Sequence, residues 1–121
     1  MLRVETDGDS LNFRPGTILS GRIVWELSKT PRSIAASLSW STEGKGDEDG
    51  ESPIRQAWTP STPSGTQAFQ WQLPRGPISL EGTLIRIRWL IECISENPDE
   101  EVAVPLVISH LKNPVRLNKL A

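Results

Sequence analysis

The sequence lacks most of the features that mark secreted, membrane or nucleic-acid-binding proteins. Cys93 is the only cysteine, so no disulfide forms within the chain, and this usage is typical of a reducing compartment. Thirteen Lys and Arg against fifteen Asp and Glu give a formal net charge of −2, too near balance to favour nucleic acid or an anionic membrane as the main partner. The first ten residues contain acids and no apolar segment, which predicts no signal peptide, and apolar runs such as Trp89-Leu90-Ile91 are far too short to cross a bilayer. These absences predict a cytoplasmic protein without an integral membrane segment.

Long helices are also missing from the pattern. Ten Pro and nine Gly stand between short apolar runs, and no apolar period of three to four residues persists over three turns. At 121 residues the chain fits one domain that needs no covalent cross-link to fold. The pattern therefore predicts one all-β domain over residues 1–109, followed by a tail or short terminal strand over residues 110–121.

The stretch FRPGTILSGRIVWEL at residues 13–27 organises the rest of the chain. Pro15-Gly16 predicts a turn, because Pro presets φ at one corner and Gly tolerates positive φ at the next. Residues alternate from Leu19 onward, with Leu19, Ile23 and Trp25 on one face, which is the period of a strand with one buried side. The turn is therefore expected to lead directly into a core strand.

Six further alternating segments predict strands separated by turn-forming residues. Residues 43–52 and 59–65 are expected to be exposed loops, and Pro105 predicts an edge position or a bulge in the last strand, because proline lacks a ladder donor. Trp25, Trp40, Trp71 and Trp89 fall on inward faces and would fill the space between two sheets. The further strands are expected at residues 2–6, 33–41, 53–58, 67–73, 83–95 and 101–109.

Several segments, in this order and spacing, resemble the arrestin-like domain family. The opening resembles its "aromatic, x, Pro-Gly, then Leu-x-Gly-x-Val" pattern, and later segments are similar to its "Phe-x-Phe-x-Leu-Pro", "Ser-Tyr-x-Gly" and "Ile-x-Tyr-x-Leu-x-Ala" stretches and to its proline-containing last strand. The segments that carry the resemblance are FRPG at 13–16, LSGRI at 19–23, FQWQLP at 69–74, SLEG at 79–82, IRWLIE at 87–92 and VPLVI at 104–108.

The resemblance implies an immunoglobulin-like, two-sheet antiparallel β-sandwich of seven or eight strands that binds other proteins and is not an enzyme. Arrestins, retromer sorting subunits and a bacterial sporulation-control protein share this architecture. This chain has room for one sandwich where arrestins place two. Its first strand supplies only Arg3 where arrestins use a basic cluster to sense phosphate.

Residues with chemical potential do not form a catalytic constellation. His110 has no recognisable nucleophile or orienting partner, and Cys93 is expected to point into the core, where a thiol is inert. Arg22, Arg86 and Arg88 are expected on outward strand faces, either as a basic strip for an acidic peptide or, preferably, in cross-strand pairs with Glu26, Glu81 or Glu92. No catalytic residue, cofactor or metal ligand is predicted.

The leading hypothesis is a non-catalytic protein-interaction or scaffold module that adds a partner's extended segment to an exposed sheet edge. A lone sandwich has edges to protect, so a homodimer that covers one of them is a corollary. The alternative is a small carbohydrate- or calcium-binding sandwich, with Trp58 as an exposed aromatic and the acidic loop at residues 47–51 as the oxygen ligands. The candidate interaction residues are thus Arg22, Arg86, Arg88 and Trp58.

Overall fold

The computed structural model describes residues 1–9, 11–44, 50–81, 85–109 and 115–116. Over these residues the regular structure is entirely extended apart from one short 3₁₀ turn at Asp7–Asp9. Seven strands have five or more residues and three have two. They are β1 (Leu2–Thr6), β2 (Asn12–Phe13), β3 (Ile18–Glu26), β4 (Ser33–Gly44), β5 (Gly50–Trp58), β6 (Ser64–Gln72), β7 (Leu80–Glu81), β8 (Ile85–Glu96), β9 (Glu100–Ile108) and β10 (Val115–Arg116).

The smaller sheet has the order β1-β3-β6, with β3 antiparallel to both neighbours. Arg14 to Thr17 form the turn that leads into β3: the Thr17 N–H donates to the Arg14 carbonyl at 3.3 Å, and Gly16 has φ of 77°. That positive φ is the conformation for which glycine carries no Cβ penalty. The predicted turn and the predicted core strand after it are confirmed.

The larger sheet contains the other seven strands and is centred on β8 and β4, which pair antiparallel over twelve residues. β5 is the terminal strand beyond β4. β9 lies on the other side of β8, and its outer side pairs only with β2, at Val107 and Ile108. Pro105 therefore sits in an edge segment, as predicted, because no described strand needs its missing N–H. Two short parallel pairings, β2 with β9 and β10 with β7, complete an otherwise antiparallel sheet.

The core lies between the two sheets and is rich in tryptophan. Trp25, Trp71 and Trp89 are 6%, 6% and 1% exposed, and the half-buried Trp40 packs against them, so the four predicted inward positions are confirmed. Cys93 is fully buried in the same cluster, and this burial raises the pKa of its thiol to about 11. Two layers of strands closed over an apolar interior confirm the predicted sandwich.

The structure extends five strands beyond their predicted bounds, so both predicted loops are shorter than expected. β4 runs to Gly44, β6 begins at Ser64 and β9 begins at Glu100. β5 begins at Gly50, because Gly50 and Glu51 pair with Ser41 and Trp40 across a register shift that the polar sequence does not reveal. β8 runs to Glu96, one residue further than predicted. In the described part of the chain no helix is long and apolar enough to span a membrane.

Candidate interaction surface

One flank of the sandwich leaves the backbone of a strand without a partner. In the smaller sheet β3 is central, and among the described strands β6 pairs with β3 alone. In the larger sheet β5 is likewise terminal. The two terminal strands border the same flank, since the Trp71 indole N–H on β6 donates to Gln56 Oε1 on β5 at 3.3 Å. This flank is the candidate interaction surface.

Two backbone hydrogen bonds at the ends of the β3–β6 ladder define which groups of β6 point outward. The Leu27 N–H donates to the Pro63 carbonyl and the Leu73 N–H donates to the Thr17 carbonyl, each at 2.8 Å. Hydrogen-bonded pairs alternate with non-bonded pairs in an antiparallel ladder, so the odd-numbered residues of β6 face β3. The even-numbered residues direct their N–H and C=O groups away from the sheet. We call this row the β6 edge; it consists of Ser64, Thr66, Ala68, Gln70 and Gln72.

Two side chains confirm this orientation by reaching round to outward carbonyls. The Thr62 hydroxyl donates to the Ser64 carbonyl at 2.6 Å, and the Gln67 amide donates to the Ala68 carbonyl at 3.2 Å. Each carbonyl retains a second lone pair. The edge is therefore hydrated or locally capped rather than paired with another described strand.

The β6 edge has none of the usual devices that prevent strand pairing. Proteins protect exposed edges with charged side chains, proline or short length. β1 has only five residues and carries Arg3 and Glu5, and β5 carries Glu51, Pro53 and Arg55. β6 has nine residues and contains no charged residue and no proline. Of these three strands, β6 is the one open to a further strand.

The interior side of the flank is closely packed. Gly65 lies against the Trp25 indole, where a Cβ atom would approach Cζ2 to 2.7 Å. Trp25 in turn contacts Trp58, with 6.1 Å between ring centroids. The Trp58 Nε1 atom is buried and has no acceptor among the described residues. The edge thus rests on a rigid aromatic layer.

The predicted site residues do not share one surface. Arg22 is exposed on the outer face of the smaller sheet, where its Nε donates to Glu5 Oε1 at 2.7 Å, and Glu5 is not among the three predicted partners. Arg88 is exposed on β8 in the other sheet. The backbone of Arg86 pairs in register with Glu81, and its side chain lies outside the described residues. The three arginines therefore belong to two different sheets and do not form one basic strip.

The Glu5 carboxylate bridges two guanidinium groups on that outer face. Arg3 Nε approaches Glu5 Oε2 at 2.7 Å, opposite the contact with Arg22. The hydrogen bond from Arg22, with the charges of both arginines, lowers the pKa of Glu5 from its ordinary value of 4.5. The smaller sheet thus presents paired charge rather than a basic patch for an anion.

The position of Trp58 does not suit the carbohydrate-binding alternative, and most of the acidic loop of the calcium-binding alternative lies outside the described residues. Trp58 is half-buried and packs against the core, because it pairs with the fully buried Ile34 and shares its inward face. Its ring is therefore a poor platform for stacking a sugar. Residues 47–49 of the acidic loop and His110 lie outside the described residues. Among the residues that are described, no three His, Cys, Asp or Glu side chains cluster as metal ligands would.

Sequence reasoning missed the β6 edge, although part of the signal was present. The run SGTQAFQWQ has a strand pattern and neither charge nor proline, a combination that it shares with SIAASLSWS at residues 33–41 in the central strand β4. What the pattern does not supply is the order of strands within the sheet. That order decides whether an uncharged strand is central or terminal.

The two packed sheets form a β-sandwich with an arrestin-like fold, as the sequence resemblance implied. The fold is that of Spo0M, a sporulation control protein from Bacillus subtilis whose crystal structure superposes with a TM-score of 0.63. The match covers 91% of this chain at 14% sequence identity, and the chain spans only 50% of the length of Spo0M. No protein-family model and no curated protein sequence matches the chain.

Proposed function

We propose that this chain is a non-catalytic protein-interaction module that binds an extended segment of a partner along the β6 edge. The observation that carries the proposal is a nine-residue terminal strand without charge or proline whose alternate residues present N–H and C=O groups to solvent. Strand addition needs such a row, because the main-chain hydrogen bonds supply the affinity. A second copy of the chain is one such partner.

The chemistry of the described side chains supports binding rather than catalysis. The Cys93 thiol is fully buried, and its raised pKa of about 11 disfavours the thiolate that a nucleophile needs. The Glu5 carboxylate is held ionised between two arginines, the opposite of what a general acid at neutral pH requires. These groups contribute to packing and surface pairing.

The number of backbone hydrogen bonds that the β6 edge can form sets the affinity that we expect for an added strand. Net contributions of about 1 kcal/mol for each backbone hydrogen bond, reduced by the cost of ordering the segment and of association, give dissociation constants in roughly the micromolar to millimolar range. Side chains of the added strand would lie beside Thr66, Ala68 and Gln70 on the exposed outer face of the sheet. Because these neighbours are small or neutral, we expect selection for extended segments of low charge.

A displayed library of random nine-residue peptides, panned against the intact chain, tests the proposal. We expect the retained peptides to slow hydrogen exchange of the Thr66, Ala68 and Gln70 amides, since these N–H groups point outward. Ala68→Lys and Thr66→Pro should weaken binding at least severalfold, because lysine protects an edge and proline removes an outward donor without removing a β3–β6 bond.

Ala57→Lys is the matched control, since Ala57 is an exposed residue on the other terminal strand and receives the same substitution. This variant should bind the retained peptides as the wild-type chain does. Peptides that protect amides outside β6, or that bind Ala68→Lys and Thr66→Pro with unchanged affinity, would place the interaction elsewhere. A library that yields no retained peptide would count against strand addition altogether.

A further inference from the structure

We propose that the β6 edge takes the same edge of a second copy of this chain, with the two strands antiparallel about a two-fold axis at Ala68. The result is one continuous six-stranded sheet with the order β1-β3-β6 followed by β6-β3-β1 of the second copy. The inference rests on the proposed function, because it uses strand addition at the same site, and it names the partner.

The outward groups of β6 are arranged symmetrically about Ala68. They lie at positions 64, 66, 68, 70 and 72, so an antiparallel copy centred on Ala68 aligns every outward residue with an outward residue. Ala68 then faces itself, Thr66 faces Gln70, and Ser64 faces Gln72. Each facing pair can exchange both backbone hydrogen bonds, which is the closely spaced pair of an antiparallel ladder. A self-complementary patch of this kind is what a two-fold interface requires.

The charges of the edge strands favour β6 for pairing with itself. β9, whose outer side is largely unpaired among the described strands, carries Glu100, Glu101 and Pro105. Like charges directly opposite each other in a ladder are destabilising, and a strand that meets its own copy brings its own charges together. β5 carries Glu51 and Arg55, with Pro53 between them, and β1 carries Arg3 and Glu5 within five residues. β6 brings only serine, threonine, glutamine and small or aromatic side chains. The charges next to β6 on this sheet lie one strand inward: Arg22, opposite Ala68, is paired with Glu5, and Glu26 lies opposite Ser64.

The inward face of β6 is already packed within one chain. In the same register Gly65 lies opposite Trp71 of the second copy, and Gln67 lies opposite Phe69. The space over Gly65 is already taken up by the Trp25 indole of the same chain, where an added Cβ atom would lie 2.7 Å from Cζ2. Phe69 and Trp71 already stack within one chain, with 4.4 Å between ring centroids, so the interface is lined by side chains held in place before association.

The contact is small, which makes the dimer dependent on concentration. Pairing over nine residues buries far less than the roughly 1,200 Å² typical of stable protein interfaces. We therefore expect a monomer in dilute solution and a dimer at high concentration. The dimer occupies the donors and acceptors that another segment would use, so self-association and binding of a foreign segment compete.

Sedimentation velocity of the intact chain over a wide concentration range tests the inference. The wild-type chain should shift from monomer to dimer, whereas Ala68→Lys and Ala68→Glu alone should each raise the dimer dissociation constant by about five- to thirtyfold, since a like-charge pair then sits at the axis. An equimolar mixture of the two variants should restore association as a heterodimer. Ala57→Lys, the matched change on β5, should associate like the wild-type chain.

A wild-type chain that stays monomeric at millimolar concentration, an Ala68→Lys variant that dimerises normally, or a mixture that fails to restore association would each overturn the inference. Circular dichroism checks that both Ala68 variants are folded. We expect spectra like that of the wild-type chain, because the Ala68 side chain is exposed. Peptide binding measured on dilute, monomeric protein separates the two proposals. A chain that binds peptides at the β6 edge yet never dimerises retains the proposed function and loses only this inference.

Discussion

Replacing Gly21 with alanine is expected to destabilise the sandwich, because the added methyl group has no room between β1 and β6. Gly21 is buried in the middle of the smaller sheet, between Thr6 on β1 and Phe69 on β6. A Cβ atom there would overlap the backbone carbonyl oxygen of Glu5 and would lie 2.8 Å from Cζ of Phe69. The glycine is therefore required by the close approach of its neighbours and not by its backbone angles.

The magnitude follows from which neighbours can move. The Phe69 ring stacks on Trp71, and the Glu5 carbonyl belongs to the backbone of β1, so neither yields without loss of other contacts. Overpacking a core costs about 1–3 kcal/mol, and distorting a ladder hydrogen bond of β1 adds about 1 kcal/mol. We expect a total of about 3 kcal/mol, a large share of the 5–15 kcal/mol typical of a domain. The melting temperature should fall by about 10–15 °C.

Urea unfolding followed by tryptophan fluorescence measures this loss, and Ser20→Ala is the control. Ser20 precedes Gly21 on the same strand but points to the outer face, so its variant should unfold within about 0.5 kcal/mol of wild type. A Gly21→Ala variant as stable as wild type would refute the packing described above. It would indicate a β3 register shifted by one residue, because such a slip exchanges the two faces of a strand.

Three further predictions concern titration and an unpaired donor. NMR titration should find the pKa of Glu5 below 4.5 in the wild-type chain and higher in Arg22→Ala, so the stabilisation by this pair is present above pH 4.5 and lost as the pH falls through the folded pKa. Because burial raises the pKa of Cys93 from 9.0 to about 11, stability should fall by about 2–3 kcal/mol between pH 9 and 11, and urea titrations of Cys93→Ala should lack this step. In urea unfolding, Trp58→Phe should lower the free energy of unfolding by about 1 kcal/mol less than Trp25→Phe does. The Trp58 N–H has no described acceptor, whereas the Trp25 N–H donates a hydrogen bond to the Thr62 carbonyl at 3.2 Å. Equal losses in the two variants would contradict this assignment.

Local rules predicted the parts of the fold that depend on a few adjacent residues. Pro15-Gly16 is followed by β3 as expected, because the φ preferences of these two residues suffice to define the turn. Period-two alternation placed Trp25, Trp71 and Trp89 in the core, because the face of a strand residue depends only on its position along that strand. Such inferences need no knowledge of which strands are neighbours.

The candidate site depended on information that alternation does not contain. Arg22 and Arg88 both point outward, as predicted, but they lie in different sheets, and the period of a strand says nothing about sheet membership. Arg22 pairs with Glu5 because β1 lies beside β3, while the expected partner Glu26 stands on the same strand as Arg22. For Arg22 the prediction was therefore right about the face and wrong about the partner, whereas the backbone of Arg86 does pair in register with the predicted Glu81.

The position of the β6 edge follows from the same non-local order. β3 is the central strand because β1 and β6 occupy both of its sides, which leaves β1 and β6 as the terminal strands of the smaller sheet. β1 is short and charged, whereas β6 is long and neutral. An edge of that kind would be an aggregation hazard unless something regularly occupies it. A long, neutral terminal strand is thus the kind of edge that the proposed strand addition requires, and this is the physical reason for testing β6 before β1 or β5.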